Sequence, residues 1–160
     1  MVKIISDSTC DLSQELLERY DISILPLQVT LGEDSYEDGV NITVDEIYRW
    51  ADENKTVPKT AACAPGRVKE TFERYLNRGD EIICFSISSD MSSTYDIMRA
   101  VARESGAESR ISVIDSRNLS TGSALLALMA CEKAAAGEDA EKIAEDLRAA
   151  VDKVDASFVV

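Results

Sequence analysis

The sequence contains no histidine. That absence removes the Ser-His-Asp triad, the Cys-His pair, the HExxH zinc site and any histidine proton shuttle from this chain. Basic residues are also scarce: 17 Lys and Arg stand against 30 Asp and Glu, a formal net charge of −13 over 160 residues. Such a charge repels phosphate backbones and anionic lipid surfaces, so nucleic acid is set aside as a partner. Three prolines and seven glycines are too few for a flexible linker, and a single domain over residues 1–160 is expected. No apolar run approaches the roughly 20 residues of a membrane helix, so membrane insertion is not expected. The opening MVKIISDST carries one lysine and a short apolar run, which does not read as a signal peptide. The four cysteines, Cys10, Cys63, Cys84 and Cys131, form no CxxC pair. They read as reduced, inert thiols of a cytoplasmic protein, with Cys84 and Cys131 in apolar core runs. Neither GxGxxG nor GxxxxGK[ST] occurs, so both nucleotide fingerprints are missing.

What is present is an alternation of short apolar runs with longer amphipathic ones. Strands are expected at Val2–Ser6, Ile22–Leu31, Glu81–Ile87 and Ile111–Ile114, with Pro26 marking an edge or a bulge in the second. Helices are expected from Asp11 to Tyr20, with Gln14 as capping-box partner, and from Thr43 to Asn54, with Glu46 in that role. Further helices run from Pro65 to Arg78, from Tyr95 to Glu104, over Thr121–Ala136 and over Asp139–Lys153. Gly32–Asn41 and Lys55–Ala64 read as loops. Ser157–Val160 reads as the opening of a strand leading to a second domain absent from this chain. The pattern predicts an α/β fold: a mostly parallel sheet with helices on both faces.

In open parallel sheets ligands bind beyond the carboxyl ends of the strands. Those ends are rich in hydroxyls here: Asp7-Ser8-Thr9, then Ser88, Ser89, Ser92, Ser93 and Thr94, then Asp115-Ser116, with Thr56 and Thr60 before the Pro65 helix. Singly, such residues cap helices. Together with the N–H groups at the start of the Tyr95 helix they also suit a carboxylate or a phosphate. Asp7 or Asp115 leaves a small phosphotransfer enzyme as the weaker alternative, since Thr9 stands where an aspartyl-phosphate phosphatase needs a second aspartate. Asp34, Glu37 and Asp38 lack the alternating oxygen ligands of an EF-hand and read as a solvated loop.

Several pieces in order resemble the DegV family of bacterial fatty-acid-binding proteins. They are Asp7-Ser8-Thr9-Cys10-Asp11-Leu12, Leu25-Pro26-Leu27-Gln28-Val29, Tyr36-Glu37-Asp38-Gly39 with Ile42, Pro58-Lys59-Thr60, Ser88 to Tyr95, and Ile114-Asp115-Ser116. The resemblance implies a lipid carrier rather than an enzyme. Its ligand is a long-chain fatty acid presented to a partner fatty acid kinase, and no cofactor is implied. The family's Thr-Ser pair falls on Thr60 and Ala61, and its Ser-Gly-Thr turn on Ser92, Ser93 and Thr94. Thr60 and Ser92 are thereby implied as hydroxyl donors to the carboxylate, supported by the backbone near Ser93. Ala61 removes one donor. Ser93 replaces a glycine that permits positive φ, so strain or a shifted turn is expected there. Family members carry a second domain, which this chain lacks; a homodimer would be another way to complete the pocket. A half-domain that serves assembly and binds no lipid is the alternative.

Overall fold

The computed structural model describes residues 1–157. Four strands, β1 (Val2–Asp7), β2 (Ser23–Leu25), β6 (Glu81–Ser86) and β7 (Ile111–Asp115), form a wholly parallel sheet in the order β2-β1-β6-β7. Alternation along the strands sends Ile5, Cys84 and Val113 to one face and Ile4, Ile83 and Ile114 to the other. Helices α3 (Pro65–Leu76) and α4 (Thr94–Glu104) cover the first face. Val68, Phe72, Met98 and Val101 fill that layer. Helices α5 (Thr121–Ala135) and α6 (Ala140–Ala150) cover the second through Leu126, Ala130, Ile143 and Leu147. Both faces are apolar because both are covered, as parallel sheets require. The α/β class and the helices on either side are therefore as the sequence pattern predicts.

A second, three-stranded antiparallel sheet was not foreseen. It is built from β3 (Gln28–Leu31), β4 (Asp34–Glu37) and β5 (Lys59–Ala61) in the order β4-β3-β5. The expected single strand Ile22–Leu31 breaks at Pro26-Leu27 into β2, an edge of the parallel sheet, and β3. The supposed acidic loop contains β4, which returns from β3 through a two-residue turn at Gly32 (φ +68°) and Glu33. Lys55–Ala64, also expected as loop, contains β5. Helix α2 (Val44–Asn54) packs Ile47 and Trp50 over Val29 and Leu31 of this sheet. Its capping box is the predicted one: Glu46 N–H donates to Thr43 Oγ1 (3.3 Å), and Thr43 N–H donates to Glu46 Oε2 (2.8 Å).

The first helix differs from expectation. Ser8–Cys10 is a 3₁₀ turn, and Asp11 lies in the left-handed region at φ +52°. Helix α1 is Gln14–Arg19, capped by Ser13, whose Oγ accepts from Leu16 N–H at 3.3 Å. Asp11 is thus the exit from one turn and not the cap of the next, and Gln14 is the first helical residue. A 3₁₀ turn, Val151–Lys153, follows α6. Ser157 carries no regular structure, and the rest of the expected terminal strand lies outside the described residues.

Candidate functional site

At the carboxyl end of the parallel sheet, four loops are locked to one another by short polar side chains. Asp7, the last residue of β1, is fully buried. Its Oδ1 accepts from Thr9 N–H (3.1 Å) and Thr9 Oγ1 (2.6 Å), and its Oδ2 accepts from Ile87 N–H (2.6 Å). Burial holds its carboxyl above the usual carboxylate range, against the opposing pull of those hydrogen bonds. Ser8 Oγ accepts from Leu27 N–H at 3.1 Å, and Ser120 N–H donates to Thr9 O at 2.8 Å. The loop after β1 is thereby fixed to the loops after β2, β6 and β7.

The loop from Ile87 to Ser93 leads into α4. Asp115, ending β7, accepts from Ser89 N–H (3.1 Å), Ser89 Oγ (2.5 Å) and Arg117 N–H (3.0 Å). At the loop's far end Ser92 Oγ accepts from Thr94 N–H (3.2 Å) and lies 3.0 Å from Thr94 Oγ1. Thr94 is fully buried, and its Oγ1 accepts from Cys63 N–H at 3.4 Å. This bond joins the start of α4 to the segment that follows β5. The structure therefore brings the Ser92–Thr94 turn against the chain three residues beyond Thr60. Thr60 and Ala61 are exposed on β5, whose only strand neighbour among the described residues is β3.

The sequence-expected residues divide by role. Thr94 is a buried tie. Ser92 is half-buried and shapes the turn. Thr60 and Ser93 are exposed, and neither hydroxyl has a protein partner among the described residues. The N–H groups of Tyr95 and Asp96 in the first turn of α4 likewise have no protein acceptor among the described residues, leaving partial positive charge. Ser93 sits at φ −77°, ψ 4°. Of the two expectations, strain or a shifted turn, strain is absent, because the turn here does not use a positive φ.

Other candidates are not brought to this place as reactive groups. Asp7 is enclosed and triply hydrogen bonded, a poor arrangement for a nucleophile. Glu37 pairs with Arg67 (3.0 Å) and belongs to β4. All four cysteines are buried and free of disulfides, Cys84 and Cys131 in the apolar runs where they are expected and Cys10 and Cys63 in the loops where inert thiols are expected. Burial pushes the Cys63 thiol up to about 12 and Cys131 to about 11, so neither is a thiolate near neutrality. Sequence reasoning missed the backbone parts of the site, Ile87 N–H and Cys63 N–H, since every residue but proline carries an N–H and no residue type signals which one is used.

Comparison with known proteins places this geometry among relatives. The family model described as "Uncharacterised protein, DegV family" matches residues 1–160. A DegV domain-containing protein of Clostridium perfringens is 42% identical over 144 residues, covering 88% of this chain and 51% of that protein. A fatty acid (stearic acid)-binding protein from Eubacterium ventriosum superposes with a TM-score of 0.84 at 35% identity, over 92% of this chain and 52% of that one. A DegV family protein from Thermus thermophilus, described for its fatty acid binding, gives a TM-score of 0.81 at 28% identity, over 92% and 53%. The chain spans about half the length of each of these three proteins.

Proposed function

The chain belongs to the DegV family, and we propose that it binds a long-chain fatty acid by its carboxylate at Thr60 on β5 and the Ser92–Thr94 turn. The observation that carries this reading is the bond from Cys63 N–H to Thr94 Oγ1, which holds the two hydroxyl-bearing segments together at the mouth of α4. Thr60 Oγ1 and Ser92 Oγ donate to the carboxylate, and the open N–H groups of α4 supply the remaining donors. Ala61 contributes backbone only, so the head group rests on fewer hydroxyls than the family pattern implies. Thr94 keeps the turn in place. Neutral donors suit a protein with a net charge of −13, because they bind an anion without adding another charged group.

Affinity comes from the tail. Each methylene removed from water contributes about 0.8 kcal/mol, so a long acyl chain outweighs its head group. Val57 and Met91, flanking the two hydroxyl segments in sequence, are 80% and 53% exposed. A second half, or a second copy of this chain, would cover such apolar groups and close over the tail. The role is that of a carrier that presents the acid to a kinase and needs no cofactor, and the cytoplasm is its place of action.

The protein isolated from a bacterial host, denatured and extracted, is expected to release a long-chain fatty acid in near-stoichiometric amount by lipid mass spectrometry. An extract with no fatty acid above the level of an unrelated control protein would contradict the reading.

A further inference from the structure

A cavity lies at the amino-terminal end of the parallel sheet, opposite the hydroxyl-bearing loops, with a volume of about 630 Å³. That is ample for a small ligand. Lys3, Arg19, Tyr20, Tyr75 and Arg78 are among its walls. In a chain this acidic, such a concentration of cations needs an account. Three acids also line the cavity, yet each is already engaged. Asp21 pairs with Lys3 Nζ at 2.7 Å, Asp80 with the terminal amine of Met1 at 3.3 Å, and Glu138 with Lys133 (3.2 Å) and Lys142 (3.1 Å).

Arg19 and Arg78 are left over. Neither has a carboxylate partner among the described residues. Each guanidinium instead lies over a tyrosine: Arg19 Cζ is 5.4 Å from the Tyr20 ring centre, and Arg78 Cζ is 5.3 Å from that of Tyr75. The Tyr75 ring has a second cation against it, Lys3 Nζ at 4.9 Å. Lys3 is 6% exposed and Tyr75 7%, and the Tyr75 hydroxyl is fixed by Ser23 Oγ at 2.5 Å. The wall is therefore rigid. Of the two cations on that ring, Lys3 is compensated by Asp21, whereas Arg78 has no carboxylate partner among the described residues and is left to meet an anion from outside.

We propose that this cavity binds a small phosphorylated molecule, with Arg19 and Arg78, the two cations of its wall that lack a carboxylate partner among the described residues, gripping the phosphoryl oxygens. Forked guanidinium donors match phosphoryl geometry, and stacking on tyrosine orders them beforehand. The site uses none of the residues placed around the carboxylate of the fatty acid, so it stands or falls independently of that reading.

The test is titration of the ¹⁵N-labelled chain with inorganic pyrophosphate and, separately, with phenyl phosphate. Saturable binding by either is expected, with the largest amide shifts around Lys3, Tyr20 and Arg78. Preference for pyrophosphate would point to a free polyphosphate, and preference for phenyl phosphate to an ester with an aromatic body. Arg19→Gln with Arg78→Gln should weaken the binding at least about tenfold and leave the rest of the spectrum in place, since both side chains are exposed. Added salt should weaken it as well. No saturable shift with either probe at millimolar concentration, or shifts centred elsewhere, would overturn the proposal. If the double variant loses the native spectrum, the location of the shifts in the unmodified chain still decides.

Discussion

Asp7 shows how much one side chain can organise. Its two oxygens collect three donors from two loops, and one of those donors, Ile87 N–H, opens the segment that carries Ser92. In Asp7→Asn one oxygen becomes an amide donor facing another donor, so at least one buried N–H or O–H is left unmatched. A loss of about 1–3 kcal/mol in chemical denaturation is expected. The pH dependence gives a second signature. Burial raises the folded-state pKa of Asp7, so between its ordinary value and that raised value the folded protein holds a proton the unfolded chain has released. Stability from this group is present at the acid end of that interval and falls as pH rises through it. The Asn variant lacks this decline, so its deficit relative to the unmodified chain should be larger at the acid end and smaller above the interval. A deficit that grows with pH would contradict the assignment.

At the scale of elements, α2 is the best case of a helix written in the sequence. Thr43 and Glu46 form a reciprocal cap, and the exposed Glu46 is held below the ordinary carboxylate range, chiefly by its bond to the Thr43 side chain. Thr43→Ala should cost about 1 kcal/mol and speed amide exchange through the first turn of α2. Unchanged exchange there would show that packing of Ile47 and Trp50 alone sets the helix. Elsewhere legibility follows burial. Strands β1, β6 and β7 are covered on both faces, and their apolar runs announced them. Strands β4 (Asp-Ser-Tyr-Glu) and β5 (Lys-Thr-Ala) have little buried surface, and their composition reads as loop. They become strands because β3 offers pairing on either side. Aspartate favours the cap position, so Asp11 reads as one in the sequence, whereas its left-handed φ closes the preceding 3₁₀ turn and leaves the cap to Ser13. At the site the hydroxyl residues were readable from their place after the strands, and the conformation of Ser93 was not, because a single substitution for glycine does not reveal how the turn rearranges.

On the scale of the whole molecule, two sheets of different construction divide the work. The parallel sheet supplies the core and the rigid ends of β1, β6 and β7. The antiparallel sheet carries Thr60 and Ala61 on β5, and Cys63, just beyond, donates its N–H to Thr94 at the start of α4. The Cys63–Thr94 bond ties the segment after β5 to the start of α4, and the arginine-bearing cavity lies at the far end of the larger sheet. A chain about half the length of its relatives leaves Thr60 and Ser93 exposed, as it does Val57 and Met91.

The central claim is that the carboxylate of a fatty acid is held by Thr60 and Ser92. Its most direct test is a calorimetric titration of the chain and of its Thr60→Val, Ser92→Ala variant with oleate, alongside thermal melts of both. Loss of donors to a charged group at about 1.5–3 kcal/mol predicts an affinity about ten- to a hundredfold weaker, with the fold retained. Equal affinity in the two proteins, or no binding by the unmodified chain, would contradict it.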